Sequence, residues 1–218
     1  MKNKLYIFGD SFSTNYSSIE IIEKEKTWTH LLANSLELEL VDQAYSGISN
    51  QGMLQMVYRN FNISDSELVV FGLTFFNRIY DFYINGGVDI RLSDSELLER
   101  GVKDYEIEFY RKRTLDVKGY NMYLQQQLEQ FYFLFKTLKS QNKKFCFWFL
   151  DECDNFYFQK IIKEFSENFI PSPIGTPNWF KPFIDKTPEW WQKNNDRHFG
   201  ELGHKEFFEY LYRYIQKL

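Results

Sequence analysis

Four short apolar runs, Leu5 to Phe8, Leu38 to Val41, Leu68 to Leu73 and Phe145 to Leu150, recur along the chain. These runs of four to six residues, interrupted only by Glu39 and Gly72, read as strands buried on both faces, the signature of a parallel sheet. Between them the apolar residues fall at helical spacing. Trp28, Leu31, Leu32 and Leu36 form one stripe, and Leu124, Leu128, Phe131, Phe135 and Leu138 a second. A third helix, from about Glu201 to Leu218, carries Phe207, Leu211, Ile215 and Leu218 on one face. This alternation predicts an α/β fold: a doubly wound three-layer α/β/α sandwich around a mostly parallel sheet of about five strands. The weaker fifth strand falls at Asn168 to Ile170. A length of 218 residues is enough to bury a full core, so one domain spanning 1–218 is expected.

Two stretches break the alternation. Residues 79–118 are longer than an ordinary connection and rich in Tyr, Asp, Glu and Arg, with Gly86 and Gly87 read as a turn; they are expected to form an inserted cap. Residues 171–195 hold all five prolines (Pro171, Pro173, Pro177, Pro182, Pro188) and three of the five tryptophans. Proline fixes φ and donates nothing to a ladder, so a stiff loop is expected there.

Charge narrows the partners. The net charge is −4 and the basic residues are scattered, which leaves no electrostatic footprint for nucleic acid. Cys146 and Cys153 are too few for a disulfide framework, and Cys146 sits in an apolar run as a small core residue. No charged leader with an apolar segment opens the sequence and no run reaches membrane-spanning length, so a soluble, cytoplasmic protein without a membrane partner is expected. Aromatic residues make up 20% of the chain, more than a core of this size holds easily, so some rings are expected to line a surface or cleft.

In open parallel sheets ligands bind beyond the carboxyl ends of the strands. Ser11, in the stretch IFGDSFS after the first strand, lies there, as do Gly47 past the second and Gly72 to Asn77 at the end of the third. A serine hydroxyl needs a neighbouring base to become a nucleophile, and imidazole is the usual one at neutral pH. Of the three histidines, His30 falls within a helix pattern and reads as structural. His198 follows Asp196 in Asp-Arg-His just before the last helix; a carboxylate so placed can hold one ring nitrogen and leave the other to accept from serine. His204 lies six residues after His198, not at the spacing that puts two ligands on one helical face, and reads as a packing or capping residue. No metal is expected. Asp151, Glu152 and Asp154 read as a solvated strand end, Asp10 as a brace for the serine loop, and Ser49 with Asn50 as a helix cap.

Gly9-Asp10-Ser11 after the first strand, Gly47 after the second, a glycine-containing block after the third, and Asp196 with His198 before the terminal helix together resemble the SGNH, or GDSL, hydrolase superfamily. The likeness runs through the whole chain in order. The tight Gly-x-Ser-x-Gly elbow of the α/β-hydrolases is missing, which favours the SGNH reading. The resemblance implies Ser11 as nucleophile, His198 as general base and acid, and Asp196 as the residue that orients it. It also implies an oxyanion hole from the N–H groups of Ser11 and Gly47 and an asparagine of the third block.

There the chain departs from the family pattern Gly-x-Asn-Asp. Thr74 stands where the asparagine is expected, and Asn77 supplies an amide three residues later, so the two are alternatives. Losing one such donor costs about 3 kcal/mol of transition-state stabilisation. The expected function is a serine esterase working through an acyl-enzyme without a cofactor. A small-molecule or glycan ester, foremost a carbohydrate O-acetyl ester, is the expected substrate, with a lipid acyl ester second. Arg78, Trp179, Trp190 and Trp191 are the candidate substrate contacts, with Tyr80, Tyr83 and Tyr105 of the insertion in the same region. The alternatives are a catalytically weakened glycan-binding module on the same scaffold and a phage structural or assembly protein.

Overall fold

The computed structural model describes residues 3–10, 12–13, 22–45, 47–76, 78–81, 86–89, 94–99, 102–108, 117–150, 153–171 and 198–218. Among the described residues four parallel strands form the central sheet: β1 (Lys4–Phe8), β2 (Glu39–Asp42), β3 (Ser66–Leu73) and, later in the chain, β6 (Lys144–Phe149), in the order β2-β1-β3-β6. The expected fifth strand is reduced to one parallel bridge, Phe147 to Phe169. There the Phe147 N–H donates to the Asn168 carbonyl at 3.0 Å and the Ile170 N–H to the Phe147 carbonyl at 2.8 Å. Two causes cut it short: the next residue, Pro171, has no N–H to donate, and the Asn168 side-chain amide spends itself on the Phe145 carbonyl at 2.9 Å.

The helices that flank the sheet are α1 (Trp28–Ser35), α2 (Asn50–Asn60), α4 (Val117–Ser140), α5 (Phe156–Glu164) and α6 (Glu201–Ile215), with α3 (Asp94–Glu99) in the segment before α4. Because side chains alternate across a strand, each strand supplies both faces. Tyr6 and Phe8, Val69, Phe71 and Leu73, and Phe145, Phe147 and Phe149 meet α2, α4 and α5. Leu5 and Ile7, Leu68 and Val70, and Cys146 and Trp148 meet α1 and α6. The first face is built largely of phenylalanine, centred on Phe135 of α4, whose ring lies 4.5 Å from Phe147 and 5.4 Å from Phe71. Each such ring contributes roughly 1.5–3 kcal/mol on burial, which makes this face the heavier half of the core. Rings also reach the surface, at Tyr45, Tyr58, Tyr105, Phe133 and Phe156. Burial pushes the Cys146 thiol up, which suits an inert core residue.

The described parts of 79–118 lie outside the central sheet. Strands β4 (Arg78–Asp81) and β5 (Gly86–Asp89) form a separate antiparallel pair, and β4 lies against α2. Gly86 and Gly87 pair with Asp81 and Tyr80, so they open β5 rather than form the turn expected of them. In the central sheet, β1 is the point where the order reverses: β2 lies to one side of it, β3 and β6 to the other. The turn after β1 therefore sits at the crevice that such a reversal opens.

Candidate active site

Beyond β1 the chain bends sharply at Gly9-Asp10. The Ser13 N–H donates to the Asp10 carbonyl at 2.9 Å and the Phe12 N–H to the Asp10 Oδ1 at 3.1 Å. This is the brace the sequence assigns to Asp10, and its side chain is only 1% exposed. The floor of the bend leaves no room for side chains. A Cβ on Gly9 would overlap Ser13, coming within 2.6 Å of its Cβ, and one on Gly72 would lie 2.5 Å from Trp148 Cζ2. Ser13 Oγ, wedged between the two glycines, is buried with no hydrogen-bond partner among the described residues.

The second block is placed by the first. The Tyr45 N–H donates to the Gly9 carbonyl at 2.9 Å, extending the β1–β2 ladder past the strand ends, and the Ile48 N–H closes a turn on the Tyr45 carbonyl at 3.2 Å. Gly47 is the third residue of that turn with φ of +74°, a left-handed value that favours glycine. Among the described residues nothing lies within 4 Å of where its Cβ would be. Ser49 then caps α2, its Oγ accepting from the Gly52 N–H at 3.1 Å.

Thr74 is fully buried and held on three sides. Its N–H donates to Asn50 Oδ1 at 2.8 Å, its carbonyl accepts from Asn50 Nδ2 at 2.9 Å, and its hydroxyl donates to Asp10 Oδ2 at 2.9 Å. The single hydroxyl proton is thus directed at Asp10. Asn50, expected only at a helix cap, instead reads the Thr74 backbone as a neighbouring strand would and ties α2 to the end of β3.

His198, the expected base, comes from the far end of the chain. His198 stacks on Phe12, ring centroids 5.3 Å apart and planes 27° apart, and Phe199 meets the same Phe12 ring edge-on at 5.7 Å. Phe12 is held in turn, its carbonyl accepting from Trp28 Nε1–H at 2.8 Å. Trp28 opens α1, and its backbone N–H donates to His204 Nδ1 of α6 at 3.3 Å. His204 therefore caps a helix, though α1 rather than its own. Burial lowers its pKa to about 4, which keeps the ring neutral and able to accept. His30 lies on α1, its Nδ1 3.0 Å from Thr27 Oγ1, a local helix-start contact.

The structure thus brings together the residues flanking Ser11, Gly47, Thr74 and His198. Ser11, Asn77, Asp151, Glu152, Asp196, Trp179, Trp190, Trp191 and Tyr83 lie outside the described residues. Arg78 opens β4, and Tyr105 is exposed. Sequence reasoning missed Phe12, Trp28 and Asn50. A signal existed only for Phe12, an aromatic beside the serine.

No protein-family model matches the sequence, and no curated protein matches it. Solved structures do match, over nearly the whole chain. The psychrotrophic esterase EstA from Pseudoalteromonas sp., in a structure inhibited by monoethylphosphonate, is 15% identical with a TM-score of 0.52, over 99% of this chain and 97% of its own. A catalytic mutant of Axe2, an acetylxylan esterase from Geobacillus stearothermophilus, is 12% identical with a TM-score of 0.51, over 98% and 94%. A carbohydrate esterase whose active site displays divergent catalytic and non-catalytic binding functions has a TM-score of 0.55 at 13% identity, over 99% and 69%. This chain has the SGNH hydrolase fold. At such identities the likeness is one of fold. Among the described residues no helix is long and apolar enough to cross a membrane.

Proposed function

We propose that the chain is a serine esterase that forms an acyl-enzyme on Ser11. One observation carries this reading above the others: an imidazole from beyond residue 197 stacks on the residue next to Ser11, on a fold shared with esterases. His198 removes the Ser11 proton as the oxygen attacks the ester carbonyl. Asp196 holds the other ring nitrogen, and the Ser11 and Gly47 N–H groups receive the oxyanion. His198 then protonates the departing alcohol, and water repeats the sequence on the acyl-enzyme. The Thr74 hydroxyl donates to Asp10, which favours Asn77 as the third donor. The segment 79–118 is read as a cap over this edge. Arg78, Trp179, Trp190 and Trp191 are read as the contacts that select a carbohydrate O-acetyl ester; flat apolar ring faces suit a sugar ring.

The test is labelling by a fluorophosphonate probe, with acetate release from acetylated oligosaccharides and p-nitrophenyl acetate. Wild type is expected to label and turn over, and Ser11→Ala and His198→Ala to do neither. Equal turnover in all three refutes the mechanism. Glycan binding without labelling supports instead a scaffold that binds without turning over.

A further inference from the structure

We propose that Phe12 is a positioning residue of this site: its ring, fixed from behind by Trp28, sets the plane of the His198 imidazole. The inference rests on the reading of His198 as the base. Both backbone polar groups of Phe12 are committed, the N–H to Asp10 Oδ1 at 3.1 Å and the carbonyl to Trp28 Nε1–H at 2.8 Å, so its Cα–Cβ direction is set by the same bend that presents Ser11. Trp28 is fully buried, edge-on to Trp148 at 5.8 Å and to Phe207 at 5.2 Å, and so is a rigid anchor. The Phe12 ring then lies near-parallel to His198, while Phe199, the next residue, closes on its edge.

His198 lies on a connection ahead of α6, where an imidazole has two side-chain torsions to settle. A stacked ring on one face removes the rotation that would swing its acceptor nitrogen away from Ser11. The π face also favours the imidazolium that forms when the serine proton is taken. One residue thus ties the orientation of the base to the position of the nucleophile, although the two are separated by most of the chain.

The experiment compares Phe12→Leu, Phe12→Tyr, Trp28→Phe and the Phe12→Leu/Trp28→Phe double variant, each first shown folded by its melting curve. The readouts are kcat and KM on p-nitrophenyl acetate and the His198 ring-proton NMR shifts. Because misplacement of about 1 Å costs on the order of 100-fold, Phe12→Leu is expected to lower kcat roughly 10- to 100-fold with KM little changed. Phe12→Tyr, which keeps the ring, is expected to restore most of kcat. Trp28→Phe removes the indole N–H together with part of a fully buried ring, so it is compared at a temperature well below its own melting point, and it is expected to lower kcat by a smaller factor. If Trp28 acts through Phe12, the double variant is no slower than Phe12→Leu alone.

A kcat for Phe12→Leu within twofold of wild type, an equal loss in Phe12→Tyr, or a double variant slowed by the product of the two single effects overturns the inference. The NMR readout needs no turnover: His198 ring protons shielded by Phe12 move downfield in Phe12→Leu, and unmoved signals also overturn the inference. Failure of the esterase reading looks different, with wild type unlabelled by the probe while the ring-proton shift persists.

Discussion

Thr74→Val removes one hydroxyl and keeps the branched shape, so it isolates the bond from Thr74 Oγ1 to Asp10 Oδ2, 2.9 Å long. Both side chains are buried, at 0% and 1% exposure, so water does not replace the lost donor. A hydrogen bond to an acidic group under such conditions contributes about 2 kcal/mol, and an isosteric replacement adds no cavity term. For a chain of this size that lowers the melting temperature by roughly 4–8 °C. Circular dichroism melts and urea titrations at neutral pH measure the loss directly, with Thr74→Ser as the control that restores the hydroxyl. Probe labelling is expected to slow as well, since Asp10 braces the bend that carries Ser11. A valine variant within about 0.5 kcal/mol of wild type refutes the argument, because that is the scatter of surface substitutions away from any special feature.

Three further perturbations have defined outcomes. Gly72→Ala places a Cβ 2.5 Å from the rigid Trp148 ring, and overpacking of that kind costs about 1–3 kcal/mol in urea unfolding. Gln127 on α4 is buried and neither amide atom meets a hydrogen-bond partner among the described residues, so Gln127→Met is expected to raise stability by roughly 1–2 kcal/mol, against the usual direction of core changes. His204 has a folded pKa of about 4, below the 6.5 of an exposed ring, so as pH falls the unfolded chain takes up the proton first. Its contribution is complete above pH 6.5 and declines between 6.5 and about 4, a loss of about 3 kcal/mol. His204→Gln is expected to flatten that part of the stability-against-pH curve measured by urea unfolding at each pH.

The sheet was legible because three of its strands are apolar on both faces, while the edge strand β2 carries exposed Glu39 and Asp42; each of the four runs became a strand, with ends shifted by at most two residues. What dulled the fifth was local chemistry, an asparagine side chain and a proline competing with ladder bonds. The blocks after the strands were legible through glycines whose need is steric, as at Gly47 with its positive φ. Thr74 was not legible as a brace, since its partner Asp10 lies 64 positions away and nothing local announces the pairing. The same holds for Trp28, whose two N–H groups meet Phe12 and His204 from opposite ends of the chain. A sequence displays periodicity and backbone exceptions well, but a side chain with a distant partner looks like any other core residue.

The interlocked floor of Gly9, Ser13, Gly72 and Trp148 bears on how this scaffold can be altered. With no slack beneath the bend after β1, a wider pocket cannot be carved from below without displacing the bend itself. Natural drift and laboratory redesign are both channelled away from this floor.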